Sequence, residues 1–347
     1  MNAKSLLILL MLILPLQALA QGFAGLGTTQ GGFANPDSAT VLQFPADHGP
    51  HPDFRIEWWY VTANLTGPDG TAYGLQWTLF RTALAPREEA GWASPQLWMG
   101  HAAITTPTAH FVTERLARGG IGQAGVKAAP FSAWIDEWAM EGADFNQLRL
   151  TASGPDFAYD VGLTATGPLV LHGEKGYSVK SASGQASHYY SQPFFKLAGT
   201  ITLPEGKVAV TGTAWLDREW SSQPLAEDQT GWDWFSLSFN SGDKLMGFVL
   251  RGTTNYTAAT WIAANGTASP LPDGAFTALP LVTHNVAGRD LPVEWRVQLP
   301  DKGIDVTVKA LNRDAWMKTS VPYWEGPVVL SGSHDGVGYL EMTGYDK

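Results

Sequence analysis

An aspartate and a tryptophan lie two residues apart in a segment that is too polar for a core strand, Thr211–Gln223. Val208 and Val210, just before this segment, and Thr211 and Thr213 at its start favour a β-strand. Strand alternation then places Trp215, Asp217 and Glu219 on one face. A carboxylic acid that is buried against aromatic rings has a raised pKa and can donate a proton near neutral pH. The pattern predicts a ligand site in which Asp217 is the catalytic acid and Trp215 contacts the ligand.

A histidine and a tyrosine, His188 and Tyr190, form a second pair with the same spacing. They also share a strand face, so His188 could orient Asp217 or activate a water while Tyr190 contacts the ligand. Aromatic faces beside such an acid also stabilise a nearby cation by roughly 2 kcal/mol or more when desolvated. Proton transfer between such groups needs no metal, nucleotide or flavin, so we expect no cofactor.

A structural role for Asp217 is the alternative, because Arg218 follows it directly. Clusters of acidic and basic residues at a strand edge often form ion pairs, and Asp217 would then lie at the wet rim of a barrel. We also expect Glu57 and Arg81 to pair across their hairpin. The remaining tryptophans of these segments are predicted to be packing residues: Trp58, Trp59, Trp220, Trp232 and Trp234.

Other motifs exclude several common enzyme classes. His48 and His51 have a metal-like spacing, but they lie in a proline-rich loop without a third ligand, and we expect no metal site. The run Ser333-His334-Asp335 is no catalytic triad, because a triad is a spatial arrangement. The sequence has no G-x-S-x-G, H-E-x-x-H or phosphate-loop motif. It also has no cysteine, which removes thiol chemistry, disulfides and thiolate metal sites.

The elements that must position these residues are short β-strands. Short runs alternate between apolar and polar residues, and the chain has 15 Trp, 38 Gly and 22 Pro, a composition typical of β-strands joined by turns. Only residues 137–146 could form one short helix. Residues 57–65 and 73–81 form a hairpin that begins with paired tryptophans, and residues 232–239 and 245–251 repeat it. We therefore predict an all-β fold of two antiparallel β-barrel domains related by internal duplication. One large sandwich with chance hairpin similarity is the alternative.

The chain divides into four regions. Residues 1–20 have the positive start, apolar run and small-residue end of a cleaved signal peptide, which predicts a periplasmic or secreted protein. Residues 21–40 are predicted to be a flexible lead-in, 41–222 the N-terminal domain and 223–347 the C-terminal domain. No further apolar run reaches the roughly 20 residues of a membrane span. The net charge of −10 disfavours nucleic acid and anionic lipid as partners.

Five tryptophan- and tyrosine-rich segments stand out along the chain: Glu57–Tyr60, Gly176–Ser178, His188–Ser191, Ala214–Ser221 and Tyr323–Gly326. These segments resemble the AttH-like family, which is related to the carotenoid 1,2-hydratases (hydroxyneurosporene synthases). The resemblance runs from about residue 41 to the C-terminus. It implies two lipocalin-like β-barrel domains side by side.

In the hydratases, a His-x-Trp pair and a later Tyr-x-Asp pair form the proposed active site. The matching positions here are His188-x-Tyr190 and Trp215-x-Asp217. The histidine and the aspartate are kept, whereas each aromatic residue is exchanged for the other type. The resemblance therefore leaves the chemistry and the substrate open.

Two functions follow from this resemblance. The first is binding of a lipophilic, isoprenoid-like molecule, with acid-catalysed hydration of a C=C bond by Asp217. The second is a non-catalytic, lipophile-binding accessory protein of an ABC-type transport system. The two differ in whether Asp217 is buried against rings or ion-paired at a wet rim.

Overall fold

The computed structural model describes residues 31–345, which form two antiparallel β-sheets. The predicted signal peptide and the first part of the predicted lead-in lie outside the described residues. Within the described part, helix is limited to three short 3₁₀ turns, at Ala46–His48, Gly91–Ala93 and Pro300–Lys302. None of these is long and apolar enough to cross a membrane. The prediction of an all-β fold is confirmed.

The first sheet has 13 strands and curls into a nearly closed barrel. These strands are β1 (Ile56–Thr66), β2 (Ala72–Ala83), β3 (Gln96–Thr105), β4 (His110–Arg118), β5 (Ala124–Ala128), β6 (Phe131–Ile135), β7 (Trp138–Asp144), β8 (Gln147–Ser153), β9 (Ala158–Ala165), β10 (Val170–Leu171), β11 (Tyr177–Val179), β12 (Ala186–Leu203) and β13 (Gly206–Ser221).

The second sheet has 10 strands and forms a half-barrel. These strands are β14 (Gly231–Phe239), β15 (Lys244–Arg251), β16 (Tyr256–Ile262), β17 (Ala268–Leu271), β18 (Thr277–Val286), β19 (Arg289–Leu299), β20 (Ile304–Ala310), β21 (Trp316–Met317), β22 (Tyr323–Gly332) and β23 (Gly336–Met342).

The two sheets share one topology. The order across the first is β4-β3-β2-β1-β13-β12-β9-β8-β7-β6-β5, and across the second β17-β16-β15-β14-β23-β22-β20-β19-β18. In each, the opening hairpin lies beside the strand that ends the sheet: β1 pairs with β2 and β13, as β14 pairs with β15 and β23. The two tryptophan hairpins therefore occupy the same place in the two domains, as a duplication requires.

One local prediction is wrong. The possible short helix at residues 137–146 is instead the strand β7 and the turn that follows it. Trp138 and Met140 alternate into the barrel core, and this period of two matches a strand and not a helix. The pairing of β7 with β8 shifts its register after Glu141, which breaks the alternation that a strand normally shows.

Apolar side chains form a core in each domain and a third cluster between the domains. Trp59 lies in the first core and Trp295 in the second. Alternation along β1 sends Trp59 into its own barrel and the neighbouring Tyr60 towards the second domain. The cluster between the domains contains Tyr60, Val170, Tyr189, Trp215, Leu225, Trp234, Met246, Phe248 and Tyr339, among others.

Candidate active site

A cleft of about 350 Å³ lies between the two domains. Strands β1, β2, β3 and β13 line it from the first domain, and β14, β15 and β23 from the second. A mostly apolar cleft of this size, with a few polar groups, is the usual form of a small-molecule site. Aromatic rings and carboxylates face it from both sides: Trp58, Tyr60, Phe80, Trp232, Trp234 and Phe248, with Asp217, Glu219 and Glu341.

Asp217 is only 3% exposed and accepts three hydrogen bonds. The indole Nε1 of Trp215 donates to its Oδ1, and the hydroxyl of Tyr189 donates to its Oδ2, each over 2.6 Å. Ser191, its direct partner on β12, also donates to Oδ1. Trp234 of the second domain donates to the Tyr189 hydroxyl over 3.3 Å. Groups from both domains therefore fix this carboxyl in place.

Burial raises the pKa of Asp217 to about 7, because the ionised form loses its hydration. The hydrogen bonds from Ser191, Tyr189 and Trp215 act in the opposite direction, and the negative charge of Glu219 adds to the rise. The carboxyl therefore changes its protonation state near neutral pH, which is the property that a general acid requires.

Arg218 points to the opposite face of β13 and does not pair with Asp217. Its guanidinium lies 3.8 Å from the ring centre of Trp59, and its Nη2 lies 3.1 Å from Glu57 Oε2. Glu57 also pairs with Arg81, its direct neighbour in the hairpin, as the sequence predicted. The interpretation of Asp217 as the ion-pair partner of Arg218 is therefore wrong.

His188 and Tyr190 share a strand face, but this face points into the first barrel. Nδ1 of His48 lies 2.7 Å from the Tyr190 hydroxyl, and the ring of His188 lies 5.4 Å from that of Trp220. Asp217 faces the cleft on the other side of the same sheet. The structure therefore does not bring the two predicted pairs together, and His188 does not orient Asp217.

A buried ion pair lies beside Asp217. Nζ of Lys180 is 3.0 Å from Oε1 of Glu219, and both side chains are 2% exposed. Ser187 donates to the same carboxylate oxygen, and the ammonium lies 4.0 Å from the ring centre of Phe248. Glu219 thus has a cation as its ion-pair partner, whereas Asp217 forms no ion pair with a described residue and interacts with Lys180 only at longer range.

The second domain contributes carboxyl groups that the sequence analysis did not identify. Trp232 Nε1 donates to Glu341 Oε1 over 2.7 Å. Burial raises the pKa of Glu341 to about 7, and the negative charge of Asp217 adds to this rise. Tyr60 donates to Glu325 Oε1 over 2.5 Å, and burial raises the pKa of Glu325 well above its ordinary value.

The paired tryptophans carried a signal that pointed to this cleft. Neighbouring residues of a strand point to opposite faces, so Trp58 and Trp59 cannot both enter one core. Trp59 packs inside the barrel, as predicted, and Trp58 lines the cleft. Trp232 and Trp234 lie two residues apart on β14 and therefore share one face of that strand. This face borders the cleft, so both rings line the cleft instead of entering the second barrel.

His48 and His51 have separate partners. His48 stacks on Phe145 at 3.8 Å between ring centres. His51 lies 3.2 Å from Asp47 Oδ1 and 3.1 Å from Glu57 Oε2. Across the described part of the chain, no group of three or more His, Cys, Asp or Glu side chains could hold a metal ion.

Known proteins share this architecture. The family model of AttH-like proteins matches residues 35–345. An AttH protein from Nitrosomonas europaea is 34% identical, with a TM-score of 0.83 over 91% of this chain and 100% of that chain. Kievitone hydratase from Nectria haematococca is 16% identical, with a TM-score of 0.68 over 92% of this chain and 98% of its own. The structure of CghA with Sch210972 is 13% identical, with a TM-score of 0.57 over 92% of this chain and 98% of that chain.

The two more distant structures show a likeness of fold alone. None of the curated proteins that were compared matches the chain. The AttH-like model, in contrast, covers nearly all of the described residues, and the Nitrosomonas europaea protein aligns over its full length. The resemblance seen in the tryptophan-rich segments is confirmed, and the chain belongs to the AttH-like family.

Proposed function

We propose that this AttH-like protein binds an apolar, alkene-containing molecule between its two domains and adds water across the C=C bond. Asp217 is the proton donor of this reaction. The observation that carries the proposal is a buried carboxyl with a pKa of about 7 at the wall of an aromatic cleft, without a cationic partner in the described chain. A purely structural carboxylate in such a place is expected to be paired, as Glu219 is with Lys180.

The reaction begins with transfer of the Asp217 proton to one carbon of the double bond, whose π electrons form the new C–H bond. The other carbon becomes a cation, which aromatic rings can stabilise, and the rings of Trp58, Tyr60 and Trp232 line the cleft in which it forms. A water then adds its oxygen to this carbon and releases a proton, which gives an alcohol. A trisubstituted double bond yields the more stable tertiary cation, so an isoprenoid-like substrate fits this chemistry.

The donors around Asp217 support its role after the proton has left. Ser191, Tyr189 and Trp215 all donate to its oxygens, and these bonds favour the carboxylate over the acid. They are in place before the reaction, so they stabilise the charge that develops on Asp217 during proton transfer. In this proposal His188 and Tyr190 act within the first barrel and do not contact the ligand.

A structural neighbour is named kievitone hydratase, so this fold occurs in a protein that is named as a hydratase. The likeness at 16% identity concerns the fold, and the substrate of that enzyme is not carried over.

The apolar lining also suits a second function, a non-catalytic carrier of a lipophilic molecule that serves an ABC-type transport system. A carrier needs the shape and the apolar surface of the cleft, and it does not need a transferable proton at Asp217. For either function, we propose that the protein works in the periplasm or outside the cell after residues 1–20 have been removed.

The test separates binding from turnover in the wild type, Asp217→Asn and Asp160→Asn. Asparagine keeps the volume of Asp217 but has no transferable proton. Asp160 lies on β9, is exposed and pairs with Arg149, so it serves as the matched control. The probes are geranylgeraniol and squalene. Binding is followed by quenching of the tryptophans that line the cleft, and turnover by the gain of one water in the mass spectrum of the extracted probe.

We expect Asp217→Asn to bind the probe within about twofold of the wild type and to lose hydration by about 100-fold or more, the range of general acid catalysis. Asp160→Asn should retain both properties. A wild type that binds the probe but never adds water would favour the carrier. Turnover that survives in Asp217→Asn would exclude Asp217 as the acid.

A further inference from the structure

Asp217 has a counterpart in the second domain. It lies on β13, the strand that ends the first sheet, opposite Tyr60 of β1. Glu341 lies on β23, the strand that ends the second sheet, opposite Trp234 of β14. Because β13 and β23 hold corresponding places in the two topologies, each domain presents one carboxyl group to the shared cleft from its closing strand.

The two carboxyl groups differ in what surrounds them. Asp217 accepts three hydrogen bonds and is nearly inaccessible, whereas Glu341 is half-buried and accepts a bond from Trp232 on one oxygen. Water therefore reaches Glu341 more easily than Asp217. Neither group has an ion-pair partner among the described residues, and the charge of Lys180, which pairs with Glu219, acts on Asp217 only at longer range.

We infer that Glu341 is a second catalytic residue, the base that removes a proton from the attacking water while Asp217 protonates the alkene. This inference rests on the hydration proposed for the same cleft. It assigns one half of the reaction to each domain, with the acid on β13 and the base on β23.

The step is balanced in atoms and charge. The Asp217 proton and the π electrons of the alkene form the C–H bond, and the water oxygen forms the C–O bond to the cationic carbon. The proton that the water loses passes to the Glu341 carboxylate. At the end Asp217 is ionised and Glu341 is protonated, and exchange with water in the cleft returns the pair to its starting state.

The electrostatics agree with this division. Burial raises the pKa of both groups from their ordinary values to about 7, and the negative charge of Asp217 contributes to the rise at Glu341. Two such neighbours favour one shared proton near neutral pH, as an acid and base pair requires. The titratable groups that interact electrostatically with Glu341 are acidic or phenolic: Asp217 and Glu219 from β13, Tyr60 from β1, Tyr323 and Glu325 from β22. The basic side chains Arg55, Arg81 and His101 line the same cleft.

The experiment separates proton transfer to carbon from addition of oxygen. Geranylgeraniol is incubated with the protein in deuterium oxide, and separately in water labelled with oxygen-18. Deuterium that enters recovered alkene reports the acid step, because a cation that returns to the alkene keeps part of the label. Oxygen-18 in the alcohol reports the water step. The variants are Glu341→Gln, which keeps an oxygen to accept the Trp232 bond, Asp217→Asn, and the exposed control Glu141→Gln.

We expect Glu341→Gln to lose oxygen-18 uptake by about 100-fold or more while deuterium exchange stays within about threefold of the wild type. Asp217→Asn should lose both labels, and Glu141→Gln neither. Uptake of oxygen-18 at the wild-type rate by Glu341→Gln would overturn the inference and leave the proposed function intact. A wild type that incorporates neither label would overturn both.

The pH profile supplies an independent readout. With an acid and a base of similar pKa, wild-type turnover peaks near neutral pH and falls on both sides. In Glu341→Gln the fall on the acidic side should disappear, because no base remains to be protonated, and the fall on the basic side should stay. A residual activity that keeps both limbs would count against Glu341 as the base.

Discussion

The hydroxyl of Tyr60 donates a hydrogen bond of 2.5 Å to Glu325 Oε1 across the boundary between the domains. Tyr60 comes from β1 and is 4% exposed, and Glu325 comes from β22 and is 1% exposed. A buried polar pair of this kind fixes how two apolar faces meet, because any other arrangement leaves a donor or an acceptor without a partner. The bond therefore helps to set the geometry of the cleft that lies beside it.

Tyr60→Phe is expected to lower the free energy of unfolding by about 1–3 kcal/mol, because Glu325 loses a donor in a buried site. Urea unfolding measures the change. The matched control is Tyr73→Phe, since the hydroxyl of Tyr73 has no hydrogen-bond partner among residues 31–345, and its effect should be about 0.5 kcal/mol or less. Equal losses in the two variants would contradict a specific role for the bond.

Asp217→Asn and Asp233→Asn should change stability in opposite ways. Asp217 is buried without a cation among the described residues, so neutralising it removes an unfavourable charge at neutral pH and leaves stability unchanged or raised. Asp233 is 1% exposed and lies 2.5 Å from Arg251, which would be left without its partner. Because Arg251 is 20% exposed, we expect a loss of about 3 kcal/mol at most for Asp233→Asn.

Thermal and urea unfolding of both variants at pH 7 give the comparison. If Asp217→Asn is as destabilised as Asp233→Asn, the Asp217 side chain has a structural partner that matters more than its burial, and the acid role loses its support.

The raised pKa values of Asp217 and Glu341 predict how stability depends on pH. In the unfolded chain both groups ionise near pH 4, whereas in the folded protein they ionise near pH 7. Between these values the unfolded state binds fewer protons, so their contribution to stability is lost as the pH rises from about 4 to about 7. The slope is at most about 1.4 kcal/mol per pH unit for each group.

The double variant Asp217→Asn with Glu341→Gln isolates this effect from that of the other groups. Its free energy of unfolding, minus that of the wild type, should rise between about pH 4 and pH 7 and then level off. Glu114 provides a comparison of opposite sign: a hydrogen bond with His101 helps to lower its pKa to about 2, so its stabilising contribution is lost as the pH falls. A difference that stays flat across the range would mean that the two carboxyl groups titrate normally.

Glu57→Gln should be strongly destabilising. Its carboxylate is fully buried between Arg81 and Arg218, which are themselves buried, and these guanidinium groups hold its pKa well below the usual range. Removing this charge leaves two buried cations without a counter-ion, which typically costs about 3–5 kcal/mol. Glu174→Gln, at an exposed position, should have no measurable effect in the same urea titration.

Strand alternation correctly predicted which of the candidate residues share a strand face. It placed Trp215 with Asp217 on one face, and His188 with Tyr190 on one face, as the structure has them. It could not tell that the two faces are opposite sides of one sheet, because that depends on how β12 and β13 align. Ser191, and not His188 or Tyr190, lies opposite Asp217, and a register shift between Gln192 and Phe195 interrupts the pairing beyond it.

The cleft itself could not be predicted from local patterns. A strand that is buried on both faces has the same apolar sequence pattern whether its second face packs in a core or against another domain. Trp234 therefore looked like a packing residue of the second barrel, and only the contact between the domains places it in the same cleft as Asp217. The five recognised segments named the family, but they did not include Glu341 or its partner Trp232.

Because β13 and β23 each close a domain against its opening strand, each cleft carboxyl arrives late in the synthesis of its own domain and depends on contacts between distant parts of the chain. Such contacts form slowly, since long loops must be ordered first. While β23 is still missing, the first domain can complete its own sheet and bring Asp217 into place. At that stage the Asp217 side chain faces open solvent, without Glu341 or the rings of the second domain. In the proposed reaction, the acid of β13 and the base of β23 therefore meet in the cleft only once β23 has joined the second sheet.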